Sequence, residues 1–84
     1  MTELTLYSRP GCHLCVEMKD VVQRVARDVA LTLSEVDIST DPGLEARYGV
    51  EIPVLLVNGK KAAKYRIAEA DLRRLLRSAI SPSR

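Results

Sequence analysis

No stretch of this chain approaches the roughly 20 consecutive apolar residues that a bilayer-spanning helix needs, so a transmembrane protein is not expected. Lys/Arg blocks are missing as well. The densest basic features are Lys60-Lys61 and the Arg73-Arg74-Arg77 cluster, and the formal net charge is only +2. A nucleic-acid or membrane-surface partner would want a basic stripe, so neither is expected. The Arg cluster reads as the solvated face of a helix, near a C-terminus where positive charge suits the helix dipole. Met1-Thr2-Glu3-Leu4-Thr5 lacks the charged start and apolar run of a signal peptide, which makes the cytoplasm the default setting. Internal repeats and low-complexity segments are absent, and 84 residues suit one domain, 1–84, with 80–84 a frayed tail.

Cysteine is scarce too. There are two, Cys12 and Cys15, three positions apart. A bridge between them closes a tiny loop and restrains the unfolded chain little compared with a long one. In a reducing compartment a disulfide is more often transient than structural. Reactivity or metal binding therefore explains the pair better than a structural staple. Zinc sites of the finger type want four ligands, whereas Cys12, Cys15 and the single histidine, His13, offer three, with His13 squeezed between the thiols. A carboxylate or a second chain would have to complete such a site, so no metal is expected within one chain.

The rest of the chain alternates strand and helix signals. Leu4-Thr5-Leu6-Tyr7 reads as a short strand, and Pro10-Gly11 ends it. Leu14, Met18, Val21, Val22, Val25 and Val29 then fall at the three-and-four spacing of an amphipathic helix. Leu31 to Ile38 reads as a second strand. Asp41 and Pro42 suit the cap and first position of a short helix over Leu44–Tyr48 that Gly49 closes. Val54-Leu55-Leu56-Val57 predicts a strand buried on both faces. Asn58-Gly59 predicts a tight hairpin returning through Lys60–Tyr65 as an edge strand, where lysines discourage pairing with other chains. Ala68–Ala79 predicts a closing helix, with Ile67, Leu72, Leu75, Leu76 and Ala79 facing the core. The order is β-α-β-α-β-β-α, an α/β domain whose first crossover should be right-handed.

The cysteines stand where the first strand gives way to the first helix. Free N–H groups of the first helical turn and the helix dipole favour a thiolate at Cys12. A free cysteine has a pKa of about 8.5, and cysteines in such settings fall to about 3.5–7.5. Cys12 is therefore the expected exposed nucleophile. Cys15 lies one turn inward on the same helix face and would resolve a mixed disulfide. His13 could tune the thiolate if protonated, or be a plain solvated side chain. Arg9 could add positive field, meet an anionic substrate, or simply sit at the surface.

Tyr7-Ser8-Arg9-Pro10-Gly11-Cys12-His13-Leu14-Cys15 resembles the active-site segment of the glutaredoxins and their glutaredoxin-like relatives. Asp37-Ile38-Ser39-Thr40-Asp41-Pro42 is similar to that family's second strand and following loop, and Gly49-Val50-Glu51-Ile52-Pro53-Val54 to its cis-proline segment. The resemblance runs from about Leu4 to about Leu76 and implies a thioredoxin-like fold, a four-stranded mixed sheet flanked by three helices. It implies thiol–disulfide oxidoreductase activity, with Cys12 attacking, Cys15 resolving, and a cis Pro53 facing the cysteines. The backbone of Ile52 would then be free to pair with an extended substrate. Implied partners are protein or low-molecular-weight disulfides, with glutathione or a thioredoxin-type reductase as electron donor; no bound cofactor is expected, and the chain is expected to be a monomer. The family's Gly-Gly turn before the last helix, which helps hold the glutathione carboxylate, is replaced here by Ala63-Lys64-Tyr65-Arg66-Ile67-Ala68-Glu69. That departure counts against glutathione held in the family's manner. The rival reading is a binding module of the same fold, whose thiols ligate a metal or cluster or take no part in catalysis.

Overall fold

The computed structural model describes residues 2–80. Four strands and three helices follow in the expected order: β1 (Thr2–Ser8), α1 (His13–Val25), β2 (Leu31–Asp37), α2 (Pro42–Tyr48), β3 (Val54–Val57), β4 (Lys60–Lys64) and α3 (Glu69–Ile80), with a single 3₁₀ turn over Ile38–Thr40. The sheet order is β2-β1-β3-β4. β1 and β2 are parallel and joined through α1; β3 is antiparallel to β1, and β4 to β3. The fold is the mixed α/β sheet with three helices that the sequence predicts.

The strands divide their side chains between two faces, as the period of two requires. Leu4, Leu6, Leu55 and Val57 meet Met18, Val22 and Val25 of α1 and Leu72 and Leu76 of α3. Tyr7, Val54 and Leu56 turn the other way, toward Ile38, Leu44 and Tyr48. Val54, Leu55 and Val57 are buried and Leu56 partly so, in keeping with a strand covered on both faces.

Turn chemistry sets the ends of the elements. Asn58 and Gly59 take φ values of 51° and 86°, the left-handed pair of a type I′ hairpin. Asn58 also ties the hairpin to β1: its N–H donates to the Glu3 carbonyl, and its Oδ1 accepts the Glu3 N–H. Asp41 caps α2 by accepting from the Gly43 and Leu44 N–H groups, with Pro42 at the first position.

Four expectations need correction. α1 stops at Val25, four residues short of Val29: the Arg27 and Asp28 N–H groups bond to carbonyls three residues back and tighten the last turn out of the α-helix. Val29 still packs against the core. β2 stops at Asp37, because its carboxylate accepts from the Ser39 N–H and hydroxyl and bends the chain into the 3₁₀ turn; Ile38 is buried there. β4 stops at Lys64, and Tyr65 turns out of it with φ 69°. In α3, which begins at Glu69, Leu75 is 39% exposed. It lies about 100° around the helix from Leu76, at the edge of the stripe that Leu72 and Leu76 centre. Of the frayed tail expected over 80–84, Ile80 is the last residue of α3, and 81–84 lie outside the described residues, as does the packing assigned to Ala79.

Candidate active site

The site grows out of the end of β1. Ser8 is buried at the strand terminus, and Arg9-Pro10-Gly11 carries the chain around to α1. Gly11 makes this turn with φ 80°, a conformation that a side chain would strain. Cys12 is the N-cap of α1, in extended backbone geometry, and its Sγ accepts the Cys15 N–H at 3.2 Å. Its own N–H donates to the Arg9 carbonyl at 3.3 Å. The first turn of α1 holds no acidic residue, so nothing there offsets the positive end of the helix dipole.

Cys12 and Cys15 are joined by a disulfide, with Cα atoms 5.2 Å apart. Cys12 is half-buried, while Cys15, one turn inward, is 4% exposed. One sulfur is thus reachable and its partner is covered. A groove of about 610 Å³ runs beside them between α1 and β2, and Cys12, Cys15 and Arg9 all contribute to its lining.

The other residues singled out from the sequence are placed as follows. His13 projects into solvent, with its Nε2 3.0 Å from Glu17 one turn along α1. Arg9 does not stand free: its Nη2 donates to Glu45 Oε2 at 2.6 Å and to the Gly49 carbonyl at 3.1 Å. The Ile52–Pro53 bond is cis. Pro53 is buried and Ile52 half-buried.

Two sets of groups escape a reading by motif. In the groove, Glu35 of β2 accepts from Lys19 of α1 at 2.9 Å and from the Ser8 hydroxyl at 3.1 Å. The Lys19 hydrogen bond leads in holding the Glu35 carboxyl below its ordinary value; the Ser8 bond adds to this and partial burial opposes it. Asp37 is lowered as well, chiefly by the Ser39 hydroxyl. Beyond β4, the Tyr65 N–H donates to the Pro53 carbonyl at 2.9 Å and its hydroxyl to the Val50 carbonyl at 3.1 Å. Lys19 and Glu35 are 16 residues apart, and Tyr65 and Val50 15. No local spacing announces either contact. Among the described residues, no three His, Cys, Asp or Glu side chains gather to hold a metal ion, and no helix is long and apolar enough to cross a membrane.

Residues 3–77 match the glutaredoxin-like domain (DUF836). The chain belongs to this family. A probable thioredoxin of Archaeoglobus fulgidus is 29% identical over 80 residues, covering 92% of this chain and 88% of the relative. An uncharacterised protein of Mycobacterium tuberculosis is 25% identical over 76 residues, covering 84% and 78%. Among solved structures, a structural-genomics target from X. campestris superposes with a TM-score of 0.76 at 32% identity, over 94% of this chain and 99% of that one. A mutant thioredoxin from Halobacterium salinarum superposes with a TM-score of 0.74 at 20% identity, over 99% and 78%, which speaks for the fold alone. This glutaredoxin-like domain has a thioredoxin-like fold, and its paired cysteines suggest a redox function.

Proposed function

We propose that the protein is a thiol–disulfide oxidoreductase working through the Cys12–Cys15 dithiol. One observation carries the reading: Cys12 caps the N-terminus of α1 with its Sγ accepting the Cys15 N–H, and is bonded to a covered Cys15 one turn behind. In the reduced protein the same N–H and the helix dipole would stabilise a thiolate at Cys12. That thiolate attacks one sulfur of a substrate disulfide, forming a mixed disulfide and expelling the other substrate sulfur as a thiolate. Cys15, deprotonated, then attacks Cys12 Sγ, releases the second substrate thiolate and closes the protein disulfide. Two electrons pass to the substrate. Two glutathione molecules, leaving as their disulfide, or a thioredoxin-type reductase return them in a reducing compartment such as the cytoplasm. The substrates are protein or low-molecular-weight disulfides, aligned along the Ile52 backbone beside Pro53.

The test is turnover of insulin and of a small mixed disulfide, with recycling by glutathione compared against recycling by a flavin-dependent reductase. Cys15→Ser should halt after the first step and accumulate a mixed disulfide visible by mass spectrometry. Full activity in Cys12→Ser would end the proposal.

A further inference from the structure

Segment 49–53, which carries Ile52 and Pro53, has no regular secondary structure of its own beyond the turn leaving α2. Its backbone is nevertheless held at almost every position. The Gly49 carbonyl accepts from Arg9 Nη2 at 3.1 Å. The Val50 carbonyl accepts from the Tyr65 hydroxyl at 3.1 Å. The Glu51 N–H donates to the Tyr48 carbonyl at 2.8 Å, and the Pro53 carbonyl accepts the Tyr65 N–H at 2.9 Å. The exception is Ile52: among the described residues its backbone N–H and carbonyl bond to nothing.

The two side chains that bond to the backbone of this segment, Arg9 and Tyr65, come from distant parts of the sequence, while Lys61 pairs with the Glu51 side chain at 2.8 Å. Arg9 also holds Cys12, because its carbonyl accepts the Cys12 N–H. One residue therefore grips the cysteine loop through its main chain and α2 through its guanidinium. Glu45 completes the grip at 2.6 Å. Arg9 Nε and Glu45 Oε1 are both buried and unpaired, so the pair uses one of the two parallel bonds that an arginine–carboxylate fork can make. Space is tight around it: a Cβ on Gly49 would collide with the Glu45 carbonyl and press on Arg9 Nη2. Tyr65 holds a left-handed backbone, φ 69°, that is unfavourable for a side chain of its size. Strain of this kind persists where surrounding contacts over-determine it, and here two hydrogen bonds to segment 49–53 do so.

We propose that Arg9 and Tyr65 are positioning residues that brace segment 49–53 against the cysteine loop, leaving the Ile52 backbone as a preformed edge for an extended disulfide substrate. The proposal rests on the thiol-exchange reading above. It assigns Arg9 a mechanical role in place of an anion-binding or thiolate-tuning one, because both its acceptors lie within the protein. Small displacements of positioning groups can cost up to about a hundredfold in rate, so partial release should be visible well short of unfolding.

The experiment compares wild type, Arg9→Ala, Arg9→Lys and Tyr65→Phe, each reduced and shown to fold by circular dichroism. Three quantities are read: kcat/KM for a peptide disulfide, the pH profile of Cys12 alkylation by iodoacetamide, and amide hydrogen exchange in 49–52, followed at the hydrogen-bonded N–H groups of Gly49 and Glu51. In Arg9→Ala, kcat/KM should fall about tenfold, mostly through KM, and exchange at 49–52 should accelerate by a similar factor while α3 stays protected. Alkylation needs no substrate edge, so its pH profile should not move. Arg9→Lys should recover part of the loss by keeping the Glu45 pair. Tyr65→Phe removes only a hydroxyl and should lower kcat/KM about threefold. Unchanged exchange at 49–52 in Arg9→Ala overturns the brace. A shifted alkylation profile overturns it in favour of an electrostatic role, and a loss confined to anionic disulfides overturns it in favour of substrate binding. If the wild type exchanges no disulfides at all, the thiol-exchange reading fails, and amide exchange alone decides the brace.

Discussion

On one face of the sheet, α1 and α3 close over Leu4, Leu6, Leu55 and Val57, and the buried residues form one continuous apolar cluster. On the other, α2 covers a much smaller set, Ile38, Tyr48 and Val54, flanked by Tyr7 and Leu56. The first face is held by packing. The second relies on directional contacts: Tyr7 and Tyr48 stack with centroids 4.7 Å apart, Asp41 caps α2, and Arg9 ties α2 to the cysteine loop. Apolar burial is non-directional and tolerates small shifts, whereas hydrogen bonds and stacked rings fix position. The cysteines stand at the start of α1, on the packed face, and the directional contacts of the other face reach their loop through Arg9.

Substitutions should separate the two faces, and the widest separation is at the site itself. Cys12→Ser should lower disulfide exchange by on the order of a thousandfold or more and leave the thermal midpoint of the reduced protein close to that of reduced wild type. A large loss of stability in that variant would show that the site and the core are not independent. Leu72→Ala, in the large cluster, should cost about 2–5 kcal/mol in urea unfolding, with the folded fraction keeping its kcat/KM. Asp41→Ala, on the α2 face, removes an N-cap and should cost about 1 kcal/mol; because α2 carries Glu45, kcat/KM should fall as well. Equal functional effects of the last two variants would erase the distinction between the faces.

The smallest effect is one of pH. The Glu35 carboxyl is lowered first by Lys19, and that of Glu69 by Arg73 and then Arg24. A carboxyl whose folded value is depressed contributes stability above its unfolded value and loses it as pH falls through the folded one. Stability should therefore decline below about pH 4.5. Both carboxylates are substantially exposed, so solvent screens each contribution and the effect is small. In Lys19→Met the urea midpoint should drop slightly at pH 7 and converge with wild type at pH 3. A constant difference across that range would mean that packing of the lysine stem, and not its charge, is what Glu35 loses.

Much of this molecule is legible in the chain. The Asp41-Pro42 start of α2, the Asn58-Gly59 hairpin, the doubly buried β3 and the placement of Cys12 at the mouth of α1 all follow from local chemistry, since each depends on residues within a turn or two. Three of the four corrections fall at element ends, where the outcome depends on competing bonds. Val29 had the right period for α1, yet the turn at Arg27 and Asp28 ended the helix first. Leu75 had an apolar side chain on a helix whose core stripe was already filled by Leu72 and Leu76. Arg9 was singled out for its charge, but its partners, Glu45 and Gly49, lie 36 and 40 residues away.

The sequence by itself determined the order of elements, the two-faced strands and the reach of one sulfur beyond the other, because periodicity, turn residues and helix capping act over a few residues. Only the tertiary structure decided what surrounds the sulfurs. The Lys19–Glu35–Ser8 contacts in the groove and the hold of Arg9 and Tyr65 on segment 49–53 form where the parallel β1–β2 pairing and the packing of α2 bring distant residues within hydrogen-bonding distance. Such contacts depend on position in space, which no spacing along the chain encodes.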